Sequence, residues 1–228
     1  MSSKSDRGQT PDLQLRDART AALDRLVADI RACRICVDAP RRQALPHAPR
    51  PVLRPSTTAR ICVAGQAPGT RVHRSGMPFT DPSGVRLREW MAVTEVEFYD
   101  DRLITIVPMG FCFPGHDAHG GDRPPRPECA GAWRSRLFEA MPQIELVLAI
   151  GSHAQAWHIG PETRRAGMSE TVRRWREILA RPGLPRCLPL PHPSWRNNAW
   201  LKANPWFENE VLPVLRAEIR VLLSPPAR

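Results

Sequence analysis

The sequence lacks what a membrane protein or a disulfide-stapled secreted scaffold requires. No apolar run in its 228 residues approaches the ~20 residues of a membrane span, and the polar start, residues 1–9, carries no apolar signal core. These absences predict a soluble, cytoplasmic chain. Six cysteines in such a setting argue against a disulfide framework and make their individual placement the informative feature. Tyrosine occurs once, internal repeats are absent, and lysine is so scarce that arginine supplies nearly all the cations. Hydrophobic residues at 42% and charged residues at 25% exclude a disordered chain. The length suits one ordinary domain.

What is abundant is positive charge. Lys and Arg number 33 against 23 acids, a net charge of +10 and a sequence pI near 10.5. That balance favours a polyanionic partner, nucleic acid being the common one. A basic proteome background gives the same balance, since an Arg- and Pro-rich chain also follows from high-GC coding.

Residues 1–14 are polar and without periodicity and read as a disordered tail, leaving 15–228 as the domain. Residues 15–30 read as an amphipathic helix with Leu15, Ala22, Leu26 and Ile30 on its apolar side. Pro40, Pro46, Pro49, Pro51 and Pro55 make the following segment an extended surface wrap. Short apolar runs at 60–64, 103–107, 146–150 and 187–190 read as strands. Helices are predicted over 128–141, 152–158 and 169–179, with another, capped by Pro82 or Ser83, running through Met91. A last helix opens at Asn204-Pro205 and kinks near Pro213. Alternating strands and helices predict an α/β fold: a single-domain three-layer α/β/α sandwich around a central, mostly parallel four-stranded sheet.

In such sheets ligands bind outside the carboxyl ends of the strands. The four ends here deliver Gly65-Gln66-Ala67-Pro68-Gly69, Pro108-Met109-Gly110-Phe111-Cys112, Gly151-Ser152-His153 and His192-Pro193-Ser194-Trp195-Arg196-Asn197. Between the first two lie Gly76-Met77-Pro78-Phe79 and Ser83-Gly84. Taken in order, these motifs resemble the uracil-DNA glycosylase superfamily, most closely its iron–sulfur branches, families 4 and 5. The resemblance runs from Cys33 to Ser194.

The resemblance implies an enzyme that flips a nucleotide from the DNA stack and hydrolyses its N-glycosidic bond, the first step of base excision repair. Gly65, Ala67, Pro68 and Gly69 would bring backbone amides to the flipped base and its phosphates. Phe79 would stack on the base, unless it is an ordinary core aromatic. His192 would donate a hydrogen bond to the departing base, unless it only bonds backbone in its turn. Ser194, Trp195 and Arg196 would press into the duplex; alternatively Trp195 packs beneath Trp200 and Trp206. The carboxylate is less direct. Gln66 stands where family 4 carries Glu, and an amide cannot be a general base, though it can orient water or contact the base. Asp81 is the next acid, as catalyst or as helix cap.

Cys33-x2-Cys36, then Cys112 and Cys129, form a four-thiolate set that suits an iron–sulfur cluster or a structural zinc ion. The resemblance selects a four-iron four-sulfur cluster with a structural role. Cys62 and Cys187 fall inside strands as core residues, and His116 and His119 read as mobile loop histidines. One departure bears on substrate: the family 4 Asn that reads uracil falls on Pro108, which cannot donate. Uracil or a related damaged or modified base is therefore the expected target, in single- or double-stranded DNA. The alternative is a DNA-binding or damage-sensing relative that retains the fold without turnover.

Overall fold

Four short, largely apolar and buried strands organise the chain. In the computed structural model, which describes residues 11–224, these are β1 (Ile61–Ala64), β2 (Ile104–Ile106), β3 (Leu146–Ile150) and β4 (Arg186–Leu190). They form one sheet in the order β2-β1-β3-β4, and every ladder is parallel. The predicted "mostly parallel" sheet is thus wholly parallel, apart from an isolated antiparallel bridge between Arg54 and Ile106. That bridge is the end of the Pro-rich wrap, which covers the open edge of β2 and so satisfies its exposed backbone groups.

The period-2 alternation of a strand sorts these residues onto two faces. Ile61, Val63, Ile104, Ile106, Leu146, Leu148, Ile150, Leu188 and Leu190 join one core, with Leu87, Trp90, Phe98, Trp175, Phe207 and Leu215 from the covering helices. Cys62, Ala64, Val147, Ala149 and Cys187 face the other, against Leu23, Leu26, Val27, Ile30, Leu137 and Ala154. Both faces are covered, as a parallel sheet requires. Cys62 and Cys187 are core residues, and burial pushes their thiols up to about 12 and about 11.

Several boundaries differ from the sequence expectations for local reasons. The first helix spans Pro11–Arg31, so it begins inside the expected tail; residues 1–10 lie outside the described ones. It docks through Leu23, Leu26, Val27 and Ile30, while Leu15 is 61% exposed and Ala22 is exposed too. Only the second half of that helix has a core beneath it. The helix Pro82–Met91 is capped by Asp81, with Pro82 in its first turn rather than at the cap. The helix expected over 169–179 is two pieces, Thr163–Arg173, interrupted at Gly167 (φ +78°), and Trp175–Leu179. The expected kink at Pro213 is a π-turn over Phe207–Val211 leading into Leu212–Leu223, which accommodates the proline without ending the helix.

One contact fixes the loop between β1 and the helix Pro82–Met91. A Cβ on Gly84 would stand 1.7 Å from the Phe79 carbonyl oxygen, so only glycine permits this approach. Gly84→Ala is expected to cost about 1–3 kcal/mol through overpacking, lowering the thermal midpoint by several degrees. An unchanged midpoint would show that the loop does not hold this contact in solution.

Candidate active site

Three strand ends and the Phe79 loop meet in one cleft. Its lining includes Gly65, Ala67, Pro68 and Gly69 after β1, Pro108 after β2 and His192 after β4, with Phe79, Asp81, Ser83 and Asp122; its open volume is about 580 Å³. β1 has β2 on one side and β3 on the other, so the winding of the sheet reverses beside β1, where doubly wound sheets take ligands. The cleft opens on a larger groove of about 1370 Å³, bordered by Gln66, Arg86, Arg123, Ser194, Trp195 and Arg196 among others.

Phe79 is strained. Its φ of +57° is rare for a bulky residue and persists because neighbours hold its carbonyl. Tyr99 Oη donates to that oxygen at 3.1 Å and to Pro78 O at 2.8 Å, and Arg88 Nη1 reaches it at 3.3 Å. The ring lies edge-on to Phe98 with centroids 5.9 Å apart, and its Cζ lies 3.3 Å from where a Gly65 Cβ would stand. Phe79 therefore both packs on the core and lines the cleft.

His192 follows β4 on a rigid turn. Asn197 Nδ2 donates to His192 O at 2.7 Å, the Ser194 hydroxyl accepts from Arg196 N, and Arg86 Nη1 donates to Pro193 O and Ser194 O. Burial pushes the imidazole below its ordinary value, against the opposite pull of Asp81 and Asp122. A neutral imidazole at neutral pH carries one N–H, which suits a donor facing a developing anion.

Asp81 is the helix cap, and it also stands in the cleft. Its Oδ1 accepts the Gly84 amide at 3.2 Å as the N-cap, and the residue lines the cleft beside His192. Gln66 is placed differently from the rest: it borders the outer groove and not the inner cleft, and its side chain lies against Gly151. The third strand end adds nothing to the lining, because the helix Gly151–His158 starts immediately after β3. Trp195 is 71% exposed with Arg196 over its ring at 5.7 Å. It does not join Trp200, Trp206 and Phe207, which form their own edge-to-face cluster.

Two residues escaped the sequence reading. Asp122, in the loop between β2 and the Cys129 helix, lines both cleft and groove. Nothing in the local sequence marks it, since it sits in a Gly- and Pro-rich loop well past the end of β2. Its partner His116 is anchored rather than mobile, with Nδ1 3.2 Å from Asp122 and Nε2 3.0 Å from Thr70 Oγ1. The other is Arg134, fully buried behind the cleft. Its Nη1 donates to Val107 O at 3.1 Å and Pro108 O at 2.6 Å, and Nη2 to His158 Nε2 at 2.7 Å. Burial brings this guanidinium down to about 10 and pushes His158 well below its ordinary value, leaving a neutral acceptor.

Cys33, Cys36, Cys112 and Cys129 line one small, tight pocket, together with Ile30, Pro49, Pro51, Phe111 and Trp133. Among the described residues no three His, Cys, Asp or Glu side chains converge as ligands of a single ion. A hydrogen bond from the Cys129 thiol holds Cys36 down to about 7, while burial drives Cys112 up to about 12. Phe111 N–H donates to Cys129 Sγ at 3.5 Å.

The fold and the cleft define a class: an α/β protein with a ligand cleft at the carboxyl edge of a parallel sheet, facing an open groove. The model of the Uracil DNA glycosylase superfamily matches residues 52–216, and the chain belongs to that superfamily. Cys33 and Cys36 lie ahead of the matched span. Among the described residues no helix is long and apolar enough to cross a membrane.

The capping role of Asp81 has a stability signature. Asp81→Ala is expected to cost about 1 kcal/mol and lower the thermal midpoint by a few degrees, whereas Asp81→Asn caps comparably and leaves it nearly unchanged. An Asn variant as unstable as the Ala variant would remove the cap from the account.

Proposed function

We propose that the protein is a monofunctional DNA glycosylase that hydrolyses the N-glycosidic bond of uracil or a related damaged or modified base, initiating base excision repair. The observation that carries this reading is the meeting of His192, Asp81 and Phe79 in one cleft at the strand ends. Breaking the bond leaves positive charge on the sugar and negative charge on the base. Asp81 opposes the first and a neutral His192 donates to the second. Phe79 gives the flipped base a flat wall, and Gly65, Ala67, Pro68 and Gly69 let it approach the backbone. Exposed Trp195, with Ser194 and Arg196, forms the element that meets the duplex, and Arg86 and Arg123 border the same groove for phosphates. Gln66 belongs to this DNA-facing rim.

The base itself is read without the family 4 Asn. Pro108 has no N–H to offer, and its carbonyl is already engaged by Arg134. A base other than unmodified uracil accords with that wall.

The cysteine cavity fits a four-iron four-sulfur cluster. Its only ligand atoms are four sulfurs, its remaining walls are apolar, and the indole N–H of Trp133 on that wall is buried without a partner. A single zinc ion would draw four sulfurs to about 2.3 Å from one point, whereas in a cluster each sulfur binds its own iron. Such a cluster would tie the first helix and the wrap to the Pro108–Cys112 segment beside the cleft, with no redox part in the hydrolysis.

Incubation with oligonucleotides carrying uracil and a panel of modified bases, single-stranded and duplex, followed by alkali, tests the activity. Strand breakage at the marked base is the expected result; tight binding without breakage would favour the non-catalytic DNA-binding alternative. On the cleaved substrate His192→Ala is expected to slow single-turnover release by ~10²-fold or more while DNA affinity changes little. An unchanged rate would remove His192 from the reaction. Anaerobically purified protein is expected to be brown, with about four irons and four acid-labile sulfides per chain. Stoichiometric zinc without iron would overturn the cluster, and the absence of both metals would overturn the metal site.

A further inference from the structure

We propose that Asp122 is a second catalytic carboxylate of the cleft, the one that takes the proton of the attacking water, and that His116 and Thr70 position it. The proposal rests on the glycosylase reading.

The loop that carries Asp122 is a built element. Arg123 N donates to Gly115 O at 2.9 Å, Asp117 N to Gly121 O at 2.8 Å, and the Asp117 carboxylate accepts from His119 N and Gly121 N at 2.8 and 2.9 Å. This small hairpin, with His116 bridged to Asp122, folds back from the end of β2 onto the loop after β1. Asp122 Oδ2 lies 3.3 Å from where a Gly69 Cβ would stand, so the missing side chain at Gly69 makes room for the carboxylate at the cleft mouth.

Its partners fix its direction. A carboxylate only accepts, so His116 Nδ1 carries the proton facing Asp122 Oδ1, and Nε2 accepts from the Thr70 hydroxyl. This is the arrangement of a base oriented by a third group. Asp122 and Asp81 both line the cleft with His192, and the charge of each is felt by the His192 ring. They differ in engagement. Asp81 gives one oxygen to the Gly84 amide and is fixed as a charge, whereas Asp122 ends a chain of side chains that reaches the exposed His116.

The reaction then divides between them. The water oxygen bonds to the anomeric carbon as the C–N bond breaks, and that bond's electron pair leaves with the base. Asp122 takes one proton from the water and releases it to solvent at the cleft mouth, while the His116 N–H keeps the carboxylate oriented. Asp81 opposes the positive charge on the sugar, and the base anion, held by His192, takes a proton from solvent. The products are the free base and an abasic sugar.

Single-turnover release on the substrate that the wild type cleaves best tests this. Asp122→Asn is expected to lower the rate ~10²–10⁴-fold, the scale of a lost general base, with DNA affinity held within a few-fold. His116→Ala should lose tens of fold, and His116→Asn, whose amide keeps a donor toward Asp122, should recover most of it. Formate should partly restore Asp122→Ala and leave Asp81→Ala unrestored, a readout that survives if the Asn variant folds poorly. A wild-type rate in Asp122→Asn, or no formate rescue of Asp122→Ala, overturns the proposal and leaves the glycosylase reading standing. A wild type that releases no base from any oligonucleotide overturns that reading and this proposal with it.

Discussion

Backbone pairing between β1 and β2 continues past the ends of both strands, and the site depends on that continuation. Val107 N donates to Val63 O at 3.0 Å, Met109 N to Gly65 O at 2.9 Å and Gly110 N to Gln66 O at 2.8 Å. Two loops that would otherwise splay are thereby held side by side, one carrying the Gly/Pro wall of the cleft and the other Pro108. Arg134 holds the second loop from beneath through the Val107 and Pro108 carbonyls. The same loop then gives Phe111 N–H to Cys129 and Phe111 O to Val52 N at 2.7 Å. Cleft, buried guanidinium and cysteine cavity thus share one stretch of six residues. A group bound by the cysteines would act on the cleft through this stretch, by position alone.

A buried guanidinium without a carboxylate is costly unless its donors are satisfied. Here two backbone carbonyls and a neutral His158 satisfy most of them, and the rings of Phe138 and Trp157 lie 5.3 and 5.7 Å from the guanidinium carbon. Its placement depends on the π-turn Ala130–Arg134, which follows Cys129 directly. π-turns are rare and concentrate at functional sites. A regular helix would have put residue 134 on a different bearing from Cys129, and the floor of the cleft would have lost its fixed charge.

The sheet was readable because a parallel strand buried on both faces writes itself as a short, unbroken apolar run, and all four runs are strands within a residue or so. The cleft was readable for a related reason: Gly65–Gly69, Phe79, Asp81 and His192 stand next to strand ends or inside ordered motifs. What escaped depends on distance in space. Asp122 reaches the cleft only because a hairpin folds back on Gly69, and nothing local distinguishes it from a loop acid. Arg134 looks like a surface arginine until a π-turn rotates it inward. Gln66 sits within the motif yet faces the groove, since a strand-end loop turns successive residues to different sides. Leu15 and Ala22 fit the helical period but had no core opposite them. Asp81 carried two readings; the structure shows the cap, and because capping uses only one of its oxygens the other is left to the cleft.

Charge is sorted by depth in this site. The chain as a whole is strongly basic, and Arg86, Arg123 and Arg196 border the outer groove, where a phosphate backbone would run. Asp81 and Asp122 line the inner cleft and the inner edge of that groove, around a His192 that burial keeps neutral. A uniformly basic cleft would bind the backbone more strongly but would oppose the positive charge that grows on the sugar as the base leaves. A uniformly acidic one would repel the DNA. In the proposed reaction, arginines at the groove and carboxylates within would separate attraction from catalysis: the first scales with phosphates neutralised, the second with a charge that exists only in the transition state.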